Sequence, residues 1–164
     1  MTLSPIQQSR ICFLLRVVQK ECKYLLQTDA RLFEPGFCLA DAEQLDITPE
    51  RAERVEAFVG RFGRLQDTLG DKLLPVLLLA LGERTGPAID NLDQAERFGW
   101  LTVEPWLGMR SLRNQMVHEY VEDMNILHNA LTTGHAFVPQ LVATAQNMMD
   151  EVSRRGLCNK IDMA

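Results

Sequence analysis

Between residues 113 and 120 the chain reads Arg113-Asn114-Gln115-Met116-Val117-His118-Glu119-Tyr120, which puts a fixed cation, an amide, a proton-transfer group and a phenol within one short stretch. A guanidinium grips phosphate through two parallel hydrogen bonds and never loses its charge at cellular pH. An imidazole titrates near pH 6.5 and can give or take a proton there. Together they suit phosphodiester cleavage. RNA brings its own nucleophile, the 2′-hydroxyl, so a site that only positions the phosphate, stabilises developing charge and moves protons can cut RNA without a metal ion. Such a reaction wants both a base and an acid, yet one copy of the motif offers a single histidine. A twofold dimer with two copies face to face would supply two histidines and at least four arginines to one groove.

These residues need a helix to hold them. At about 100° per residue, Arg110, Asn114 and His118 form one polar ridge, with Arg113 beside it. Arg113 and His118 lie about 140° apart and roughly 7.5 Å along the axis, so only the long arginine side chain can bring both to a shared ligand. Trp106, Met109, Met116 and Tyr120 fall on a neighbouring ridge, a pattern of packing rather than of a site. Glu104-Pro105 starts this helix, which is expected to end near Tyr120 to Glu122, with Asp123 capping the next one.

The remaining chain also reads as helix. Ile11, Leu14, Leu15, Val18, Cys22 and Leu25 make an apolar stripe on a first helix from about Pro5 to Thr28. Residues 29 to 48 lose that period and carry Pro35-Gly36, a long connection with room for a short helical turn. Thr48-Pro49-Glu50 is a start signal in which the threonine hydroxyl is expected to cap. The stripe Val55, Phe58, Val59, Phe62, Leu65 and Leu69 follows, and Pro75 predicts a kink or break in the apolar run from Leu73 to Leu81. A shorter helix opens at Thr85 or Gly86 and closes at Gly99. The last helical stretch, Met124 to about Arg155, is expected to kink or split between Gly134 and Pro139. No alternating strand pattern occurs. The expected fold is therefore all-α, an antiparallel bundle of four or five helices, in one domain over residues 1–156 with a flexible tail at 157–164.

Composition narrows the function classes. With 46% apolar residues in 164, one domain can bury a continuous core. The net charge of −5 gives no global attraction to nucleic acid, so phosphate contact would need a local patch of arginines. Cys12, Cys22, Cys38 and Cys158 form no C-x-x-C pair and follow no signal peptide, which predicts reduced thiols in a soluble, cytoplasmic protein. No apolar run approaches the roughly 20 residues of a membrane span.

Other motifs are weaker. His118-Glu119 opens like a zincin motif, but Glu122 stands where its second histidine belongs, so no metal is implied, nor any cofactor. His128 and His135 share a helical face without ligand-type neighbours and read as surface or interface residues. Gly82-Glu83-Arg84-Thr85-Gly86 lacks the ending of a phosphate loop and reads as a turn. Arg61 and Arg64, flanking Gly63, read as a solvated face.

Residues 113–120 resemble the signature of the HEPN superfamily, and specifically of its HepT-like members: an arginine, a polar residue, three more positions, then histidine, any residue and tyrosine. Gly108-Met109-Arg110 just before the motif, Asp123 after it and Pro139 in the last helical segment agree with that family. The order of helices resembles it over most of residues 5–155. The chain departs in carrying Arg110-Ser111-Leu112 between Gly108-Met109 and Arg113, and in the length of its 29–48 connection. The resemblance implies a homodimeric, metal-independent endoribonuclease toxin whose partner is a small nucleotidyltransferase antitoxin. It implies that Arg113 and His118 are catalytic with Asn114 in support, that Arg110 and Arg113 meet the RNA phosphate, and that Tyr120 is the phenol to which the antitoxin attaches AMP. Adenylates there would add bulk and negative charge where RNA must bind. Two alternatives remain open: a non-catalytic nucleotide- or substrate-binding partner of a nucleotidyltransferase, and an unrelated helical interaction protein in which Arg113 and His118 are structural.

Overall fold

A computed structural model describes residues 3–118 and 122–159. Among them the protein is all-α, about six helices with no strand. Helix α1 spans Pro5–Phe33, five residues past the expected end. Its start is locked by a reciprocal pair: Gln7 N–H donates to Ser4 Oγ at 3.2 Å, and Ser4 N–H donates to Gln7 Oε1 at 2.9 Å. The stripe Ile11, Leu14, Leu15, Val18, Cys22 and Leu25 is buried, as its spacing predicts. The connection after α1 holds the short α2, Leu39–Glu43, and a single 3₁₀ turn, Leu45–Ile47.

Helix α3 spans Pro49–Asp67. Thr48 does not cap it as expected; its hydroxyl donates backward to the Gln44 carbonyl, and Pro49 opens the helix. The predicted break near Pro75 is a π-helical segment, Thr68–Leu73, running into α4, Leu74–Ala80. Pro75 has no N–H for the carbonyl one turn back, and its ring crowds that turn. The chain widens just before it, and Leu74 N–H reaches the Leu69 carbonyl five residues back. The wider turn seats Gly70 under Trp106, where an added Cβ would stand 3.0 Å from the indole.

A turn through Gly82 (φ 78°) leads to α5, Ala88–Arg97, and one through Gly99 (φ 77°) to α6, Val103–His118. Helix α7 spans Met124–Arg154, and Asp123 caps it as predicted, accepting from the N–H groups of Asn125 at 2.9 Å and Ile126 at 3.4 Å. The expected split between Gly134 and Pro139 is absent: α7 is continuous with Pro139 inside it. Packing holds it through. Gly134 lies against Phe58 of α3 and Leu112 of α6, so the lost backbone bond at Pro139 is outweighed by tertiary contacts along both flanks.

Helix α1 packs on α3, α6 packs on α7, and α3 touches both α6 and α7. Their shared core includes Phe58, Phe62, Trp106 and Leu141. The cysteines depart from expectation. Cys12 of α1 and Cys158 form a disulfide, with Cα atoms 5.5 Å apart, which corrects the reading of four reduced thiols. The chain beyond Gly156 therefore stays on the bundle at least to Cys158, with Leu157 packed against the core, instead of leaving as a free tail. Cys22 and Cys38 are free, and burial, then the neighbouring Glu21 carboxylate, pushes the Cys22 thiol up to about 11. No described helix is long and apolar enough to cross a membrane.

Candidate functional site

Helix α6 buries one ridge, Trp106, Met109, Leu112 and Met116, which assigns that ridge to packing as predicted. Counting about 100° per residue from this buried face, Asn114 and His118 stand on the opposite side, whereas Arg113 falls within the buried arc between Met109 and Trp106, towards α3. Their exposure agrees, with Asn114 and His118 exposed and Arg113 half-buried. Leu107 and Val117, also on α6, are 42% and 48% exposed, so apolar surface accompanies the polar ridge. Glu119 and Tyr120 lie outside the described residues.

Arg113 is held from behind. Its Nη1 donates to Asp67 Oδ1 of α3 at 2.9 Å, and its side chain crosses directly over Gly63. A Cβ at Gly63 would stand 2.7 Å from Nε, 3.2 Å from Cδ and 3.3 Å from Cγ of that arginine. One turn earlier on α6, Arg110 Nη1 lies 3.7 Å from Asp71 Oδ1 in the π-helical segment, beyond hydrogen-bond reach but within an ion pair. The pairs 113–67 and 110–71 run in opposite order along the two helices. Arg113 keeps about a third of its side chain exposed in this arrangement, so its remaining donors are open to an anion.

The predicted site residues thus divide. Arg110 and Arg113 are brought together by a pair of acids on α3 and its π-helical extension, and neither acid was singled out from sequence. Asn114 and His118 face outward, exposed to solvent. A signal for the acids did exist: Gly63, Asp67 and Asp71 follow each other at four-residue spacing, and Arg110 and Arg113 at three. What sequence could not supply was the docking of one ridge against the other.

The other histidines are tethers. His135 Nδ1 lies 2.7 Å from Asp29 Oδ1 with its ring stacked on Phe33, and His128 Nε2 lies 3.3 Å from the Phe37 carbonyl. Both hold α7 against the end of α1 and the connection that follows, an intramolecular interface that fits one of the roles expected of them. Arg61 is no solvated residue: it donates to the Tyr24 carbonyl at 3.1 Å and to the Thr28 hydroxyl of α1, and lies over the Tyr24 ring. Arg64 is exposed as expected. Among the described residues no three His, Cys, Asp or Glu side chains cluster closely enough to hold a metal ion. Comparison with family models, with curated proteins and with solved structures finds no match.

Proposed function

We propose that this chain is a metal-independent endoribonuclease toxin, a four- to five-helix antiparallel bundle of the HEPN, HepT-like kind that works as a homodimer. The observation that carries the reading is the division of labour on α6: the buried ridge anchors the helix, Asp67 holds Arg113 at the seam with α3, and Asn114 and His118 face solvent. One copy is half a site. A second copy set against the outward face would cover Leu107 and Val117 and bring two histidines to one groove.

In that groove Arg113 would hold a phosphodiester oxygen while one His118 takes the proton of the RNA 2′-hydroxyl. The 2′-oxygen bonds to phosphorus, the bond to the 5′-oxygen breaks, and the second His118 protonates the leaving oxygen. The products are a 2′,3′-cyclic phosphate and a 5′-hydroxyl, with no net proton consumed. Arg110 adds charge along the strand, and Asn114 supports the phosphate or the imidazole. Silencing would come from a small nucleotidyltransferase antitoxin that attaches AMP to Tyr120, placing negative charge where the RNA backbone must lie.

The test is RNA cleavage by purified protein in excess chelator, with His118→Ala as control. Cleavage in wild type and none in the variant, at equal helicity, is expected; cleavage that needs a divalent ion or survives the substitution refutes the reading. A second reading, an unrelated helical interaction protein in which Arg113 is structural, is favoured by the Arg113–Asp67 ion pair, which occupies part of the guanidinium. It predicts that the protein neither cleaves RNA nor binds nucleotide.

A further inference from the structure

On the side of α3 turned about 100° from the Arg113 contact, a second group of charged residues surrounds a hollow of about 290 Å³ against α1. Arg10 of α1, Arg64 of α3 and Lys72 of the π-helical segment stand at its rim. Among the described residues none of the three has a side-chain hydrogen bond or ion pair with a protein group; Arg10 only lies over the Phe13 ring, 5.7 Å from its centre. Deeper in the hollow are Leu14, 1% exposed, Thr68, 2% exposed, and Glu21.

Glu21 is half satisfied. Thr68 Oγ1 donates to its Oε1 at 3.1 Å, while Oε2, buried from solvent, finds no hydrogen-bond partner among the described residues. Burial pushes the Glu21 carboxyl above the usual carboxylate range, against the Thr68 hydrogen bond and the pull of Arg64 and Lys72, and Asp67 adds to the push. A buried acceptor without a donor is costly, and with three cations around it the hollow is complementary to one ligand that satisfies both. That ligand is anionic at one end and carries a hydrogen-bond donor close by. Three monovalent cations match the charge of a phosphate monoester better than that of a single carboxylate.

We propose that this hollow binds a phosphate monoester, its phosphate held among Arg10, Arg64 and Lys72 and a hydroxyl or N–H of the esterified group donated to Glu21 Oε2. Phe13, 47% exposed at the same rim, offers an apolar face to the organic part. The site needs nothing from the motif helix and goes beyond the ribonuclease reading. Its ester can come from a small phosphorylated metabolite or from a nucleotide, and the two are separated by probe.

The experiment is calorimetric titration of the full chain with inorganic phosphate, glycerol 3-phosphate and guanosine 5′-monophosphate. At least one ester is expected to bind at least about tenfold more tightly than inorganic phosphate, the tighter ester naming the source. Arg64→Ala, an exposed change, is expected to weaken ester binding about 10- to 100-fold, the worth of one charged hydrogen bond. Glu21→Met, which keeps the length but removes the acceptor, is expected to abolish the preference for the ester and leave phosphate affinity in place. No saturable binding of either ester, equal affinity for phosphate and esters, or binding indifferent to Arg64→Ala overturns the proposal. Should Glu21→Met fail to fold, Arg64→Ala and Lys72→Ala decide the matter, since both positions are exposed.

Discussion

Gly63→Ala is a one-carbon test of how Arg113 is held. The added Cβ would sit 2.7 Å from Arg113 Nε, and ordinary contact begins near 3.4 Å, so the arginine must move by about 0.7 Å or leave its path over α3. The atoms met are the middle of the side chain, Cγ, Cδ and Nε, not its free end, so a rotation of the guanidinium alone does not relieve the contact. Two effects on stability oppose each other. Alanine inside a helix is worth about 1 kcal/mol over glycine, and loss of a one-third exposed ion pair costs about 0–1 kcal/mol. Net stability should stay within about 1 kcal/mol of wild type, a shift of roughly 2–4 °C in Tm. Activity should not stay put, because an ångström-scale displacement of a positioning group costs about 100-fold in rate. Cleavage of a fluorogenic RNA in chelator should therefore lose about 100-fold in kcat/KM while the melting curve barely moves. A double-mutant cycle removes the dependence on activity. With Arg113→Ala already in place the new methyl meets nothing from that side chain, so Gly63→Ala should then stabilise by the full helix-propensity gain, leaving a coupling of up to about 1 kcal/mol, the share lost by the displaced ion pair. A coupling of the opposite sign, or full cleavage by the Gly63→Ala protein, would refute the argument that Gly63 exists to seat Arg113.

Two further expectations concern stability. Glu21 has a folded pKa above its unfolded value, so the folded state holds its proton more tightly and ionisation costs stability as pH rises from the unfolded pKa through the folded one. Glu21→Gln should therefore raise Tm at pH 7 and give no gain near pH 4, where wild type carries the proton in both states; a gain that is the same at both pH values would refute the assignment. Removing the Cys12–Cys158 bridge, which closes a loop with a sequence separation of 146, should cost about 2–5 kcal/mol. Cys158→Ser should accordingly melt below the oxidised wild type and together with the reduced one, whereas identical melting of all three would show that the bridge contributes nothing.

Much of this protein follows from local sequence. The stripe on α1, and that on α3 apart from the half-buried Val59, are buried where a 3.6-residue period puts them, and Asp123 caps α7 because a carboxylate ahead of a helix can reach the first free N–H groups unaided. The outward face of Asn114 and His118 likewise follows from the angular spacing of the buried ridge on α6. Pro75 announced a disturbance because its missing N–H is a property of the residue itself. Its form, a π-helical turn that lets Gly70 meet Trp106, depends on what packs there. Pro139 does not end α7, since neighbouring helices pack along it and hold the helix through. Contacts between distant positions were set by the docking of helices alone. Asp67 meets Arg113 across 46 residues, Thr68 meets Glu21 across 47, and Cys12 meets Cys158 across 146, and in none of them does the spacing of either partner identify the other. Sequence periodicity determines which face of each helix is buried, because that depends on residues a turn apart. Which charges then find each other is decided only when two faces meet, because an ion pair or a buried carboxylate is a property of both helices at once.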